Sequence, residues 1–325
     1  MKLKLRTQNT ETLKSTLSLV NPLRKFIVLR FCPEKLYIIS VNGQSVTQEP
    51  QVWCNLKISS IFDQIEISSL RDDTISLEIN LELLLQTLRN FDRANSDGLN
   101  IRLQRKDSSG GSGTNTGNGR TASLALFYAN VNANSNTINH TFRIPVKILK
   151  NTHDMMLLKE PELNDVQLIM KLPNEFVSIY KRMDKFKKTT NNEIITIKAS
   201  RRQSGFLGFV LEEEGKYRVT ISWNDKLNVQ RPNLASMDGE SLRMSVLRNT
   251  TNSDVVDDND ESEDKEITVR LKDWQMASKI VASCKTVVLV ITSRDCILHC
   301  LLDDSDDVEI IYYISGIRIR NPIDY

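Results

Sequence analysis

At 325 residues, 40% of them hydrophobic and 26% charged, the chain is long enough for two globular domains. It contains no run of 18 apolar residues, which excludes the usual signal for a membrane-spanning helix. The net charge of +2 is unevenly distributed: residues 254–264 hold seven acidic side chains and no basic one, which leaves about +9 for the rest. A mildly basic body is compatible with a nucleic-acid partner.

The first half predicts a series of strands interrupted by two amphipathic helices. Met1–Arg6 alternates charged and apolar residues and lacks the apolar centre of a signal peptide, so we expect a strand there. Pro22 ends the first helix, and the second carries a leucine stripe at helical spacing. The predicted elements are strand 2–6, helix 10–21, strands 26–32, 35–41, 51–58, 63–68 and 74–79, helix 81–93, and strands 98–106, 121–129 and 140–148.

The second half repeats this order. A strand at 165–171 precedes a helix that starts at Pro173 and extends to about residue 188. The remaining predicted elements are strands 193–199, 206–213 and 217–224, helix 272–284, and strands 286–292, 296–302 and 308–314. One helix followed by several antiparallel strands therefore occurs four times. This predicts an α+β fold of two similar domains, each with two helices packed on antiparallel sheets.

Three segments separate or interrupt these domains. We expect an N-terminal domain over 1–147, a connector over 148–164 and a C-terminal domain over 165–325. Residues 107–119, rich in Gly, Ser and Asn, predict a flexible loop. A second, acidic insert is expected over about 234–265, where residues 249–264 are too polar to fold alone. Both resemble insertions tolerated at loop tips.

The sequence offers little for catalysis. Walker, Gly-x-Gly-x-x-Gly, Gly-x-Ser-x-Gly and His-Glu-x-x-His motifs are missing, and only three histidines occur. The five cysteines form no Cys-x-x-Cys pair and are interpreted as buried small side chains in a reducing compartment. Asp303, Asp304, Asp306 and Asp307 are interpreted as a solvated turn rather than a cation site. We expect no catalytic residue, cofactor or metal, and no enzymatic activity.

The polar faces of the predicted helices share an excess of basic residues. For a single helix an ordinary solvated face is the simpler interpretation, but four helices share the bias. Lysine and arginine without interleaved aromatic residues suit phosphate contacts better than base recognition. The candidate DNA-facing residues are Lys14, Arg89, Arg93, Lys181, Arg182, Lys185, Lys188, Lys272 and Lys279.

The element order and several motifs resemble the sliding-clamp family of the proliferating cell nuclear antigen. More specifically, the chain is similar to the hydroxyurea-sensitivity subunits of the heterotrimeric nine-one-one checkpoint clamp, in the form found in budding yeasts. The motifs that carry this resemblance are Leu29-Arg30-Phe31-Cys32-Pro33-Glu34-Lys35-Leu36, Val52-Trp53-Cys54-Asn55-Leu56, Ser76-Leu77-Glu78-Ile79, Leu99-Asn100-Ile101-Arg102-Leu103, His140-Thr141-Phe142-Arg143-Ile144-Pro145-Val146-Lys147 and Lys159-Glu160-Pro161. The second half matches more loosely, through Lys272-Asp273-Trp274 and Ile311-Tyr312-Tyr313-Ile314.

The resemblance implies a nuclear, pseudo-symmetric ring of three different subunits around double-stranded DNA. A clamp loader would place the ring at damage sites, where it would recruit and activate checkpoint kinase machinery. Such rings close by pairing edge strands. The subunit contacts are therefore expected at Thr141, Phe142, Arg143, Ile144 and Val146 in the first half and at Tyr217, Val219, Ile221 and Trp223 in the second. The alternatives are a replicative homotrimeric clamp and a β-rich scaffold that never contacts DNA.

Overall fold

A computed structural model describes most of the chain. It covers residues 1–41, 49–94, 96–105, 122–131, 136–149, 158–163, 165–185, 194–201, 205–213, 216–223, 226–230 and 264–317. The chain divides into two compact units. The first consists of Met1–Gly43 and Val52–Lys159, and the second of Gln44–Gln51 and Glu160–Tyr325. The predicted insert 107–119 lies outside the described residues, and so does the predicted acidic insert of about 234–265 except for its last two residues.

The first unit contains nine strands and three helices in its described part. In chain order they are β1 (Lys2–Thr7), α1 (Glu11–Val20), β2 (Phe26–Phe31), β3 (Lys35–Ser40), β4 (Gln51–Lys57), α2 (Ile58–Ile61), β5 (Gln64–Ser68), β6 (Ile75–Asn80), α3 (Leu81–Arg93), β7 (Leu99–Arg105), β8 (Ala122–Val131) and β9 (Thr137–Ile148). Within this unit the strands follow the order β4-β3-β2-β6-β9-β8-β7-β1-β5, and the described neighbours pair antiparallel.

The core of the first unit lies between its two longer helices and the sheet. Helices α1 and α3 contact each other, and α3 also contacts β6 and β9. Their apolar stripes are buried because every third or fourth residue points inward. The buried residues of the two stripes are Leu13, Leu17, Val20, Leu81, Leu84, Leu85, Leu88 and Phe91.

The second unit repeats this arrangement in two sheets. Its elements are β10 (Val166–Leu172), a 3-10 turn (Asn174–Phe176), α4 (Val177–Asp184), β11 (Ile194–Ser200), β12 (Phe206–Glu213), β13 (Tyr217–Trp223), β14 (Asn228–Gln230), β15 (Lys265–Arg270), α5 (Leu271–Met276), α6 (Ser278–Ser283), β16 (Thr286–Thr292), β17 (Asp295–Leu301) and β18 (Val308–Ser315). The strand orders are β14-β10-β16-β17-β18 and β13-β12-β11-β15.

An aromatic cluster forms the core of the second unit. The Trp274 ring stacks on Tyr180, with ring centroids 5.4 Å apart and an interplanar angle of 13°. Phe176 meets both rings edge-on, and Phe209 lies 5.2 Å from Trp274. Burying rings of this size supplies much of a core's stabilisation. Phe176, Ile179, Tyr180 and Met183, which recur at helical spacing in this segment, are all buried.

The fourfold repeat is confirmed, with local differences. Each repeat consists of a strand, a helical segment and three or four further strands, beginning at β1, β6, β10 and β15. The prediction of one helix over 272–284 is wrong. Ala277, at φ −68° and ψ −17°, separates two short helices, because its N–H bonds back three residues to the Trp274 carbonyl. Helix α2 and strands β14 and β15 were not predicted, and β15 begins at Lys265, the last residue of the predicted acidic insert.

Candidate functional site: helix faces and open strand edges

The solvent face of α3 carries two free cations. The Asn80 side chain caps the helix by accepting hydrogen bonds from Glu82 N at 3.1 Å and Leu83 N at 3.3 Å. This fixes the helix start, so that the leucine stripe points inward and Arg89 and Arg93 point outward. Both arginines are exposed, and neither is paired with a carboxylate in the described part of the chain.

Lys14 on α1 differs from these arginines. Its ammonium donates to Asp92 Oδ2 at 2.5 Å and to Glu11 Oε2 at 2.6 Å, and its side chain is only 22% exposed. Asp92 also accepts a hydrogen bond from Thr10 at 2.6 Å. The charge of Lys14 is therefore offset by two carboxylates, so we do not include it among the phosphate contacts proposed below.

Helix α4 carries the densest group of free cations in the described residues. Lys181, Arg182 and Lys185 are exposed, while Met183 between them is buried. Lys181 and Arg182 lie in the last turn of α4, where the helix dipole favours positive charge. Lys188, the fourth residue predicted for this surface, lies outside the described residues.

Helices α5 and α6 each present one lysine. Lys272 and Lys279 are both exposed. Their neighbour Asp273 is buried and is bonded instead to Arg270 Nε at 2.6 Å. Burial raises the pKa of Asp273, and Arg270 partly opposes this effect. The only acid of α5 is thus turned away from its solvent face.

Seven of the nine predicted DNA-facing residues are exposed and lack a carboxylate partner within the described chain. We call them the helix cations: Arg89, Arg93, Lys181, Arg182, Lys185, Lys272 and Lys279. Unpaired ammonium and guanidinium groups on solvent faces attract phosphates without reading a base sequence. The exposed acids Glu82, Asp92 and Glu175, in the described part of these helical segments, offset only part of their charge.

Strand β9 has an open side along most of its length. It pairs with β8 from Thr137 to Val146, whereas β6 meets it only at Val146, Lys147 and Ile148. From Thr137 to Pro145, no other described strand covers its second side. Pro145 fits such a position because it has no N–H to contribute to a ladder.

Strand β13 is the edge of its four-stranded sheet and pairs with β12 alone among the described strands. Its backbone groups on the other side are thus available to a further strand. Arg218 and Thr220 point to solvent, while Ile221 packs inward. Of the predicted interface residues of the first half, Thr141, Phe142, Arg143 and Ile144 lie on the open part of β9, whereas Val146 is paired with Ile79 of β6. Those of the second half lie on the open edge of β13. Their role in assembly stays a prediction.

Aromatic contacts link each open strand to a helix of its own unit. In the first unit Tyr128 stacks on His140 and Phe142, with centroids 4.7 Å and 5.9 Å away, and meets Phe91 of α3 edge-on. In the second unit Trp223 packs 6.4 Å from Phe176, in the turn before α4. These contacts fix the position of each strand edge relative to the neighbouring helix.

Other candidate chemistry has structural explanations. His299 is buried and bonds to Glu309 at 2.5 Å, and His140 Nε2 lies 3.1 Å from Asn130 Oδ1. Within the described ranges no three His, Cys, Asp or Glu side chains are grouped so as to hold a metal ion. The helices of these ranges include none that is long and apolar enough to cross a membrane.

The comparison with known proteins decides the family. The family model described as Hus1-like protein matches residues 1–318. The chain belongs to the Hus1-like family. It is 24% identical to the DNA damage checkpoint control protein MEC3 of Eremothecium gossypii over 366 aligned positions, which cover 93% of this chain and 94% of the relative. It is also 24% identical to the checkpoint protein hus1 of Schizosaccharomyces pombe, with 97% and 99% of the two chains covered.

A solved structure supports the fold assignment. The proliferating cellular nuclear antigen of Entamoeba histolytica superposes with a TM-score of 0.61 and 13% sequence identity, over 97% of this chain and 99% of that one. The likeness establishes that this Hus1-like chain has the clamp fold. The predicted fold class is thus confirmed.

Proposed function

We propose that the protein is one subunit of a heterotrimeric checkpoint clamp, which encircles DNA at sites of damage and recruits checkpoint kinase signalling. The observation that supports this most strongly is the match of the Hus1-like family over residues 1–318. The names of the relatives, DNA damage checkpoint control protein and checkpoint protein, point to the same role.

The two open strand edges supply a means of ring closure. An unpaired strand edge binds another strand through its backbone groups, without requiring particular side chains. One edge, β9, lies in the first unit and the other, β13, in the second. We propose that each pairs with a different neighbouring subunit.

The helix cations supply the contact with DNA. They are compatible with a protein that holds DNA by enclosing it, because phosphate contacts guide the duplex but leave it free to slide. Sequence preference is not expected from such contacts. This role needs no nucleophile, cofactor or metal from the chain. A clamp loader to open the ring and a nuclear location belong to the same proposal.

The alternatives are less favoured. A replicative homotrimer would have to close through identical subunits, yet the named relatives are checkpoint proteins. A scaffold that never meets DNA would leave without a role the seven helix cations, which have no carboxylate partner among the described residues.

The oligomeric state tests the proposal. The purified chain is run on a sizing column with light scattering, alone and with the two other clamp-family chains of the same organism. We expect a monomer alone and a one-to-one-to-one complex with both. A self-trimer would favour the replicative clamp, and the lack of any complex would favour the scaffold.

A further inference from the structure

The first unit contains a concave pocket away from the helix faces, with a volume of about 500 Å³. Its floor is one face of three adjacent strands. In the register of the sheet Arg30 on β2 lies directly between Tyr37 on β3 and Ser76 on β6. The alternate residues Leu29 and Leu77 point to the opposite, buried face.

The walls come from segments that end or turn at this face. Leu149 follows β9 and is tied to the floor by its N–H, which donates to the Ser76 carbonyl at 3.0 Å. The turn between β5 and β6 forms another wall, which Asp73 holds by accepting a hydrogen bond from Ser69 N at 2.9 Å. Met1 and Leu70 stand at the rim with much of their apolar surface exposed.

Two polar atoms of the floor, Arg30 Nε and Ser76 Oγ, have no hydrogen-bond partner in the described part of the chain. Arg30 donates from Nη2 to the Leu158 carbonyl at 3.0 Å, but its buried Nε has no acceptor. Ser76 is 4% exposed, and its hydroxyl has no hydrogen-bond partner either. Buried polar atoms without partners are rare in native proteins, and each needs an explanation.

The charge in the pocket is also unbalanced. Burial lowers the pKa of the Arg30 guanidinium, and the groups that act in the opposite direction are Cys32 and Tyr37 rather than a carboxylate. A partly buried cation with unused donors attracts an anion strongly, because charge-assisted hydrogen bonds are about twice as strong as neutral ones. Among the lining residues that the structure describes, Asp72 is the single carboxylate.

We propose that this pocket binds an acidic peptide segment of a partner protein. A carboxylate of the peptide accepts hydrogen bonds from Arg30 and Ser76, and an adjacent apolar side chain packs against Leu70 and Leu149. The volume falls within the range of roughly 300–1,000 Å³ that is typical of ligand pockets. A small inorganic anion would satisfy Arg30 but would leave the apolar rim uncovered, which favours a peptide. None of the described lining residues belongs to the helix cations or to the predicted interface residues.

Binding of defined peptides to the full chain tests the proposal. The probe is a fluorescent, acetylated and amidated peptide, Ala-Leu-Glu-Leu-Ala, compared with the same peptide carrying Gln in place of Glu. We expect the Glu peptide to bind roughly ten- to hundredfold more tightly, the usual worth of a charged hydrogen bond. The Arg30→Met variant should remove this difference, whereas Arg102→Met, which changes an exposed arginine on β7, should leave it intact. Equal affinity of the two peptides, or an unchanged preference in Arg30→Met, would overturn the proposal.

A charge reversal separates direct contact from damage to the fold. The Arg30→Glu variant should lose the Glu peptide and gain a preference for the peptide with Lys at that position, while its melting curve stays cooperative. Failure to gain the Lys peptide would count against direct contact. A peptide with phosphoserine in place of Glu is measured in parallel. Much tighter binding of the phosphoserine peptide would indicate that the ligand is a phosphorylated segment, and would overturn the assignment to an acidic one.

Discussion

The helix cations can be tested by neutralising the densest group, Lys181, Arg182 and Lys185, together to alanine. All three side chains are exposed and lack a carboxylate partner in the described chain. The loss of favourable helix-dipole interactions at the end of α4 is offset in part by the higher helix propensity of alanine. We therefore expect the free energy of unfolding to change by no more than about 1 kcal/mol.

The effect on DNA binding should be larger and should depend on salt. Each lost phosphate contact reduces the slope of log affinity against log salt by about 0.9, so three contacts reduce it by roughly 2.7. Between 50 and 200 mM salt, the DNA affinity of the wild-type ring should therefore fall about 40-fold more than that of the triple variant. The assay is the fluorescence anisotropy of a short duplex with the assembled ring, over that salt range.

A matched control separates the position of the charges from net charge. Lys2, Lys4 and Lys57 are exposed strand residues of the first unit, and changing them together to alanine removes the same three charges. We expect this variant to keep nearly the wild-type slope. If the α4 variant keeps the wild-type slope, or if the slopes of both variants fall by the same amount, the assignment of α4 to the DNA-facing surface is refuted.

Two further predictions concern the strand edge of the second unit and the Lys14 ion pairs. Thr220→Pro removes an N–H from β13 and should abolish binding to one partner subunit while sparing the other. The control variant Thr220→Val should bind both partners, and co-elution with each partner measures the binding. Loss of both partners, or of neither, would argue against the assignment of β13 as a subunit edge. The pKa of Asp92 is lowered from 3.8 because hydrogen bonds from Lys14 and Thr10 outweigh the opposing effect of burial. Wild-type stability relative to Asp92→Asn should therefore be fully present above about pH 3.8 and vanish as the pH falls through the lower folded pKa. Melting temperatures of both proteins at pH 6 and below pH 3 measure this, and a difference that does not change with pH would disprove it.

Local patterns were sufficient to predict most elements. Helix α3 was predicted with its observed bounds, because the leucine spacing is regular. The exposure of Arg89 and Arg93 followed from the same periodicity. Strand β15 was missed because Lys265–Arg270 is short and directly follows an acidic segment, whose composition dominated the interpretation.

Features that depend on distant residues could not be predicted. The sequence places Asp92 78 positions from Lys14, so nothing in the pattern of α1 indicates that this lysine is paired. The break at Ala277 takes the form of a hydrogen bond from its N–H back to the Trp274 carbonyl, which the regular apolar spacing of 272–284 does not reveal. The pocket of the first unit requires the register of three strands, which brings Arg30 next to Ser76 although they are far apart in sequence.

The central claim, enclosure of DNA by a ring that contains this chain, is tested most directly by topology. The assembled ring is loaded onto closed circular DNA, washed at high salt to screen phosphate contacts, and the DNA is then cut once. We expect the ring to stay on the circle through the wash and to leave within minutes of cutting. Release from the intact circle at high salt, or retention on the linear product with free ends, would contradict it.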